Sequence, residues 1–334
     1  MKQARKNKRL NILVTGGGGF IGMALVRRLV KQGYHVSTFS RSIYEEHKKL
    51  GVKTYQGNII NFSDIEKACA GIDVVFHVAS KAGIWGAYKD FYRVNVTGTE
   101  NVINACKLNK VKKLIFTSSA SVIFDGTDLE GVDETINYPE KPVSNYTATK
   151  AEAEQLVLQA NSTTLNTISL RPHLVWGPGD TQLIPKILKR AKSGRLKKIG
   201  RKEFLIDTTY IDNLIDAQML AMEKPVNGQE ISGKAFFITN GEPVPAWNFL
   251  NSIIKAAWLP PVEKTISKKI ALIVAGILEK LHLIFRLKKE PFITRFVIHE
   301  LCTHHWFDIS AAKRLLDYSP KVSFENGIKN LKIH

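Results

Sequence analysis

The sequence predicts an α/β fold, a doubly wound parallel sheet with helices on both faces, followed by a smaller C-terminal lobe. Three observations predict it. Through the first 180 of the 334 residues, short β-rich apolar runs alternate with helix-like stretches, an order that calls for crossover helices between parallel strands. The runs DVVFHVA and KKLIFT are continuously rather than alternately apolar, as strands buried on both faces are. A four-glycine turn, VTGGGGFIG, ends the first run and opens the first helix.

Taken in order, LNILVT, YHVSTFS, VKTYQG, DVVFHVAS, KKLIFTSS and NTISLRP read as strands. Segments near 20–32, 63–70, 88–108 and 144–160 read as the helices between them. After RPHLVWGPGD, near residue 180, the pattern becomes irregular: basic helices, short strands and an apolar stretch at 266–286. The chain therefore divides into a nucleotide-binding unit, 10–180, to which some later segments return, and a substrate-binding lobe, 181–334. With 44% apolar residues it can fill a sizeable core.

Composition narrows the setting. Cys69, Cys106 and Cys302 form no CxxC pair and no cluster with histidine, so neither a disulfide framework nor a zinc site is expected, and a reducing cytoplasm fits. The adjacent His304 and His305 point to opposite faces if extended and make a poor chelate, so no metal is expected. The opening MKQARKNKRL carries five positive charges but runs into NILVTGG without the apolar core of a secretion signal. The formal charge of +18 concentrates in that tail, at 186–202 (nine Lys or Arg in seventeen) and at 264–289. Such charge suits an anionic small molecule, an anionic lipid surface or plain solubility. No nucleic-acid motif accompanies it, and no nucleic-acid partner is expected.

The glycines give the first chemistry. Gly16, Gly19 and Gly22 form GxxGxxG across a strand-to-helix turn, with Phe20 and Ile21 opening the helix. In that context glycines allow a tight turn and close approach of backbone to a pyrophosphate, while the helix N-terminus offers amide donors, so the fold is expected to be Rossmann-type. At the end of the second strand, where a carboxylate would hold the ribose hydroxyls of NAD, stand Ser40, Arg41 and Ser42. Nothing there repels a 2′-phosphate, and Arg41 could grip one, which points to NADP; the bland alternative is a solvated loop arginine.

Downstream, SNYTATK places Tyr146 and Lys150 one helical turn apart on one face. A tyrosine of pKa ~10 exchanges protons poorly near neutrality. A nearby ammonium would favour its phenolate and reach the nicotinamide ribose. A hydroxyl on the same substrate oxygen would come from FTSSAS, with Ser119 favoured and Ser118 and Ser121 as rivals. His173 is either a neighbour of substrate or cofactor or an ordinary packed residue. The 266–286 stretch is interrupted by Glu279 and Lys280 and is too short to span a bilayer; it is either an amphipathic helix at a membrane surface or a cover on the second lobe.

Together TGGGGFIG, HVASKAG, NVTGT, TSSAS, YTATK and LRPHLVWGPGD resemble the extended short-chain dehydrogenase/reductase superfamily, in its 3β-hydroxysteroid dehydrogenase branch, over about residues 10–330. Within that branch KAGIWG, DTTYIDN, ITNGEPVP, EPFITRFVIHELCTHHW and FSRS are similar to bacterial reductases of long-chain olefin biosynthesis. The resemblance implies that Tyr146, Lys150 and Ser119 are catalytic, the first two also touching cofactor. It places Ala79 and Lys81 beside the cofactor after the fourth strand, Asn95 in support of the active-site helix, and Pro172 to Val175 by the nicotinamide carboxamide. Asn58 stands where many members carry an aspartate that contacts the adenine amino group; its side-chain carbonyl can still accept.

The implied activity is NADPH-dependent reduction of the 3-oxo group of a long-chain 2-alkyl-3-oxoalkanoate. A 3β-hydroxysteroid or sterol-carboxylate dehydrogenase is the first alternative, a nucleotide-sugar epimerase or reductase the second, and a non-catalytic NADP-binding or membrane scaffold protein the third. The implied partners are a second copy of the chain, a condensing thiolase-like enzyme and a β-lactone synthetase; the chain is expected to be cytoplasmic, with contact at the inner face of the membrane one of the two readings of 266–286.

Overall fold

The computed structural model describes residues 10–225, 230–287 and 289–331; the basic tail at 1–9, and Lys288 of the third basic cluster, lie outside the described residues. Seven strands form one parallel sheet in the spatial order Lys234–Ile238, Asn166–Pro172, Lys113–Thr117, Val74–His77, Asn11–Thr15, His35–Ser40, Lys53–Gln56. Every residue of Val74–His77 and Lys113–Thr117 is buried, the reason those runs read as continuously apolar. Asn11–Thr15 lies between the second and fourth strands, so the winding reverses at its carboxyl end, where crevices open in such sheets. The seventh strand, Lys234–Ile238, comes from beyond residue 180 and pairs with Asn166–Pro172.

The helix expected over 88–108 is divided. Tyr88–Tyr92 passes into a π-helical turn, Arg93–Thr97, before Gly98–Leu108 resumes the α-helix. The π turn inserts extra backbone and carries Asn95, which is almost wholly buried. Asn145–Gln159 begins at a capping box: the Ser144 hydroxyl accepts from the Thr147 amide, and the Thr147 hydroxyl accepts from the Ser144 amide. That box sets Tyr146 in the first turn of the helix.

The later chain packs as helices Leu183–Lys192, Ala246–Ala256, Lys268–Ile284 and Arg295–Leu301 around a small sheet ordered Val244–Pro245, Leu205–Ile206, His305–Phe307, Leu129–Val132. The last strand comes from the first half of the sequence and pairs with His305–Phe307, so the two halves are interleaved. Lys268–Ile284 buries Ala271 and Ala275 against Ile298 and Trp247. Among the described residues no helix is long and apolar enough to cross a membrane.

Candidate active site

At the carboxyl end of the first strand the three glycines of the motif answer to different neighbours. Gly16 has φ +70°, and a Cβ there would lie 2.8 Å from the Ala79 backbone. A Cβ on Gly22 would lie 2.2 Å from the Gly16 carbonyl oxygen, so helix and turn close on each other. Gly19 differs: its φ is ordinary and a Cβ would meet only the Gly16 oxygen, at 3.4 Å. The chain's own packing leaves the surface over Gly19, at the N-terminus that Phe20 and Ile21 open, clear for something else to approach. The turn is held from beneath by buried His47, whose Nε2 lies 3.1 Å from the Gly17 carbonyl oxygen.

A directed hydrogen-bond chain sets the next wall. The Thr99 hydroxyl donates to the Asn95 carbonyl and accepts from His77 Nε2 at 2.9 Å. His77 Nδ1 therefore accepts from Thr15 Oγ1 at 2.8 Å, and Thr15 Oγ1 accepts from the Ala79 amide. Burial pushes His77 down to about 3, which keeps the ring neutral and the chain in this sense. From the π turn the Asn95 side chain accepts from the Lys81 amide at 2.7 Å and donates to Thr149 Oγ1 at 3.1 Å, joining the loop after the fourth strand to the Tyr146 helix.

Arg41 is exposed, and its guanidinium makes no hydrogen bond or ion pair with any described residue; Ser40 turns its hydroxyl to the Ser42 carbonyl. Asn58 spends its side-chain oxygen on the Ile60 amide at 3.3 Å, closing a local turn. Pro172 ends its strand, Leu174 takes a positive φ of 42° that is uncommon for leucine, and Val175 starts a two-residue strand.

Ser119, Tyr146 and Lys150 converge at the ends of Lys113–Thr117 and the Asn145–Gln159 helix. Lys150 Nζ donates to the Thr117 carbonyl at 2.8 Å and sits 3.9 Å over the Phe116 ring. Burial pushes Lys150 down to about 7. Burial also pushes Tyr146 up to about 12, with a Ser119 hydrogen bond opposing and the Glu300 charge reinforcing the rise. The expected lowering of Tyr146 by Lys150 is thus not what this geometry produces, because the ammonium is spent on Thr117 and desolvation dominates. Of the three serines, Ser119 is the one that meets Tyr146; its hydroxyl is also 2.8 Å from that of Ser121.

Two groups here receive no role at the site from the sequence, although His305 is weighed there as a metal ligand. Glu300, from Arg295–Leu301, and His305 line both a greasy cavity of about 210 Å³ and a small void beside His173. Leu174, Leu183, Ile187, Phe249 and Leu250 are among the residues of the larger cavity's apolar wall, with Lys186, Arg190 and Glu290 also on its lining. His173 is packed rather than open: its Nε2 lies 2.8 Å from His305 Nδ1. No cluster of three or more His, Cys, Asp or Glu arranged to hold a metal occurs among the described residues.

This architecture can be placed among known proteins. The model of the 3-beta hydroxysteroid dehydrogenase/isomerase family matches residues 13–266. The chain belongs to this family. A 2-alkyl-3-oxoalkanoate reductase of Stenotrophomonas maltophilia is 45% identical over 325 residues, 97% of this chain and 98% of that protein. Mouse sterol-4-alpha-carboxylate 3-dehydrogenase, decarboxylating, is 35% identical over 95% of this chain and 88% of its own. Among solved structures, UDP-glucuronic acid 4-epimerase from Bacillus cereus in complex with UDP-glucuronic acid and NAD superposes with a TM-score of 0.74 at 26% identity, covering 96% of this chain and 97% of that one. The family and the Rossmann-type fold expected from the motifs are those found.

Proposed function

We propose that this family member is an NADPH-dependent reductase of 2-alkyl-3-oxoalkanoates. The observation that carries the reading is a proton-bearing Tyr146 acted on by Glu300, a residue that lines a greasy cavity, in a chain 45% identical to a protein of that name. The clear surface over Gly19 and the unpaired Arg41 fit an adenine dinucleotide with a 2′-phosphate. Gly16, Gly19, Phe20, Ile21 and Gly22 would hold its pyrophosphate, Ser40 and Arg41 its phosphorylated ribose, Asn58 its adenine, and Ala79, Lys81, Asn95, Pro172 and Val175 its nicotinamide half together with Tyr146 and Lys150. When bound, NADPH supplies the hydride that reaches C3 of the substrate.

Everything else falls to the chain. A phenol pushed up to about 12 is fully protonated at neutral pH, so Tyr146 donates its proton to the ketone oxygen as C3 is reduced. Ser119 hydrogen-bonds the same oxygen and fixes its direction. Lys150, held by Thr117, lies one turn deeper on the same helix face, where it would reach the nicotinamide ribose. The segment 181–334 acts as the substrate-binding lobe, and the apolar cavity takes an alkyl arm.

The same reading includes a peripheral membrane contact. Ile270, Ile273, Val274, Ile277, Leu281, Leu283, Ile284 and Phe285 form an exposed apolar face on the helix and turn at 268–285, bordered by Lys268, Lys269, Lys280 and Arg286, which suits an anionic lipid surface. A homodimer and association with other olefin-biosynthesis enzymes enter on the resemblance alone.

The deciding experiment oxidises a 2-alkyl-3-hydroxyalkanoate with NADP and, in parallel, a 3β-hydroxysteroid with NAD or NADP. Turnover of the branched acid with NADP is expected; turnover of the steroid alone transfers the protein to the sterol-dehydrogenase reading.

A further inference from the structure

A 3-oxo acid carries its carboxylate two bonds from the carbon that is reduced, so whatever receives that carboxylate must neighbour Tyr146. Lys186 and Arg190, the basic residues on the cavity lining, already pair with Glu290 at 2.7 and 3.4 Å. Glu300 does neighbour Tyr146, adding to the fields acting on it, and it lines both cavities. Among the described residues its carboxyl group has no hydrogen bond or ion pair; only its backbone oxygen is used, by His305 Nε2 at 2.6 Å. Because His305 donates there, its Nδ1 accepts from His173, and burial pushes both rings down, so neither brings a positive charge. On its own helix Arg295 is paired with Glu279, and burial likewise pushes His299 down. Among the described residues no cation compensates Glu300.

We propose that Glu300 is the receptor for the substrate carboxylate, donating its own carboxyl proton so that the two acids share one hydrogen bond, and thereby selects 3-oxo and 3-hydroxy acids over neutral ketones and alcohols. The inference rests on the functional reading above. Burial pushes Glu300 up to about 8, so the donor proton is present at neutral pH, and an approaching carboxylate holds it more firmly still. Above that pH the site becomes a second anion that repels the substrate. The same arrangement explains why no free arginine or lysine is needed in the cavity.

The test measures KM and kcat for a 2-alkyl-3-hydroxyalkanoate and for its methyl ester, with NADP, from pH 6.5 to 9.5. The native protein should show KM for the acid rising toward tenfold per pH unit above about 8, with KM for the ester flat. Glu300→Gln, which keeps an N–H donor without a titrating proton, should bind the acid with a KM independent of pH, and NADP binding by fluorescence checks that it is folded. A flat KM for the acid in the native protein, the same pH dependence in Glu300→Gln, or a lower KM for the ester overturns the role of Glu300 while leaving the reductase reading intact. No turnover of the acid removes the functional reading, and this inference with it.

Discussion

Tyr146 titrates far from where a free tyrosine would, and the sign of that shift makes a prediction. Its neutral form is favoured up to about 12, so the reductive direction, which consumes the phenol proton, has its donor in place across the neutral range. The oxidative direction needs the phenolate, a fraction on the order of 10⁻⁵ at pH 7, so its kcat should climb with pH between 7 and 10 while that for reduction does not. A falling oxidative profile would mean another group takes the proton. Tyr146→Phe should lower kcat by about 10² or more with NADP binding retained, as judged by titration of bound nucleotide. At the other end of the site Arg41→Asp should reduce or reverse a preference for NADPH over NADH in kcat/KM, and equal use of both by the native protein would remove NADP from the reading. These residues were legible because their signals are local: a glycine turn after an apolar run, and two side chains four apart on one helix. Glu300 was not, since only tertiary packing brings the last turn of Arg295–Leu301 to Tyr146. Nor was the state of Tyr146, because YxxxK fixes which residues share a face but not how deeply that face is buried.

Individual elements decide how firmly those residues are held. Glu154, on the same helix as Tyr146 and Lys150, is fully buried, paired with Arg171 at 2.7 Å and accepting from Tyr138 and Ser169. Burial alone would push its carboxyl up, but Arg171 holds it below the usual range. Glu154→Ala would strand the guanidinium without its partner and should cost about 3–5 kcal/mol, read as a fall in the denaturant midpoint. The strands and most helices could be placed from periodicity, whereas the π turn at Arg93–Thr97 could not, because a single turn with i→i+5 bonding has no residue preference or period of its own to read. The 266–286 stretch had two readings that periodicity could not separate, and the structure leaves most of its apolar side chains exposed. An Ile273→Asp, Ile277→Asp double variant should therefore abolish sedimentation with vesicles containing anionic lipid while its melting temperature stays within a few degrees of the native value; unchanged sedimentation would dismiss the membrane face.

At the scale of the whole molecule, the interleaving of the two halves places an apolar cavity beside a Rossmann-type sheet, and on the proposed reading that junction would govern substrate choice. Leu129–Val132 and His305–Phe307 knit the lobe to the sheet, bringing Leu183, Leu250 and Phe296 within one lining with Glu300. A cavity so lined should reward each methylene of an alkyl arm that it can enclose with ~0.8 kcal/mol, or roughly a fourfold gain in kcat/KM per carbon. The gain must stop when the arm outgrows about 210 Å³, so a plot of log kcat/KM against arm length should rise and then level. Leu183→Trp, from the half-buried rim of Leu183–Lys192, takes up part of that volume without adding charge. It should move the plateau to shorter arms and leave the shortest substrates nearly untouched, since their reacting ends still meet Tyr146, Ser119 and Glu300. If Leu183→Trp instead lowers kcat/KM by the same factor at every arm length, the cavity is not where the alkyl arm lies.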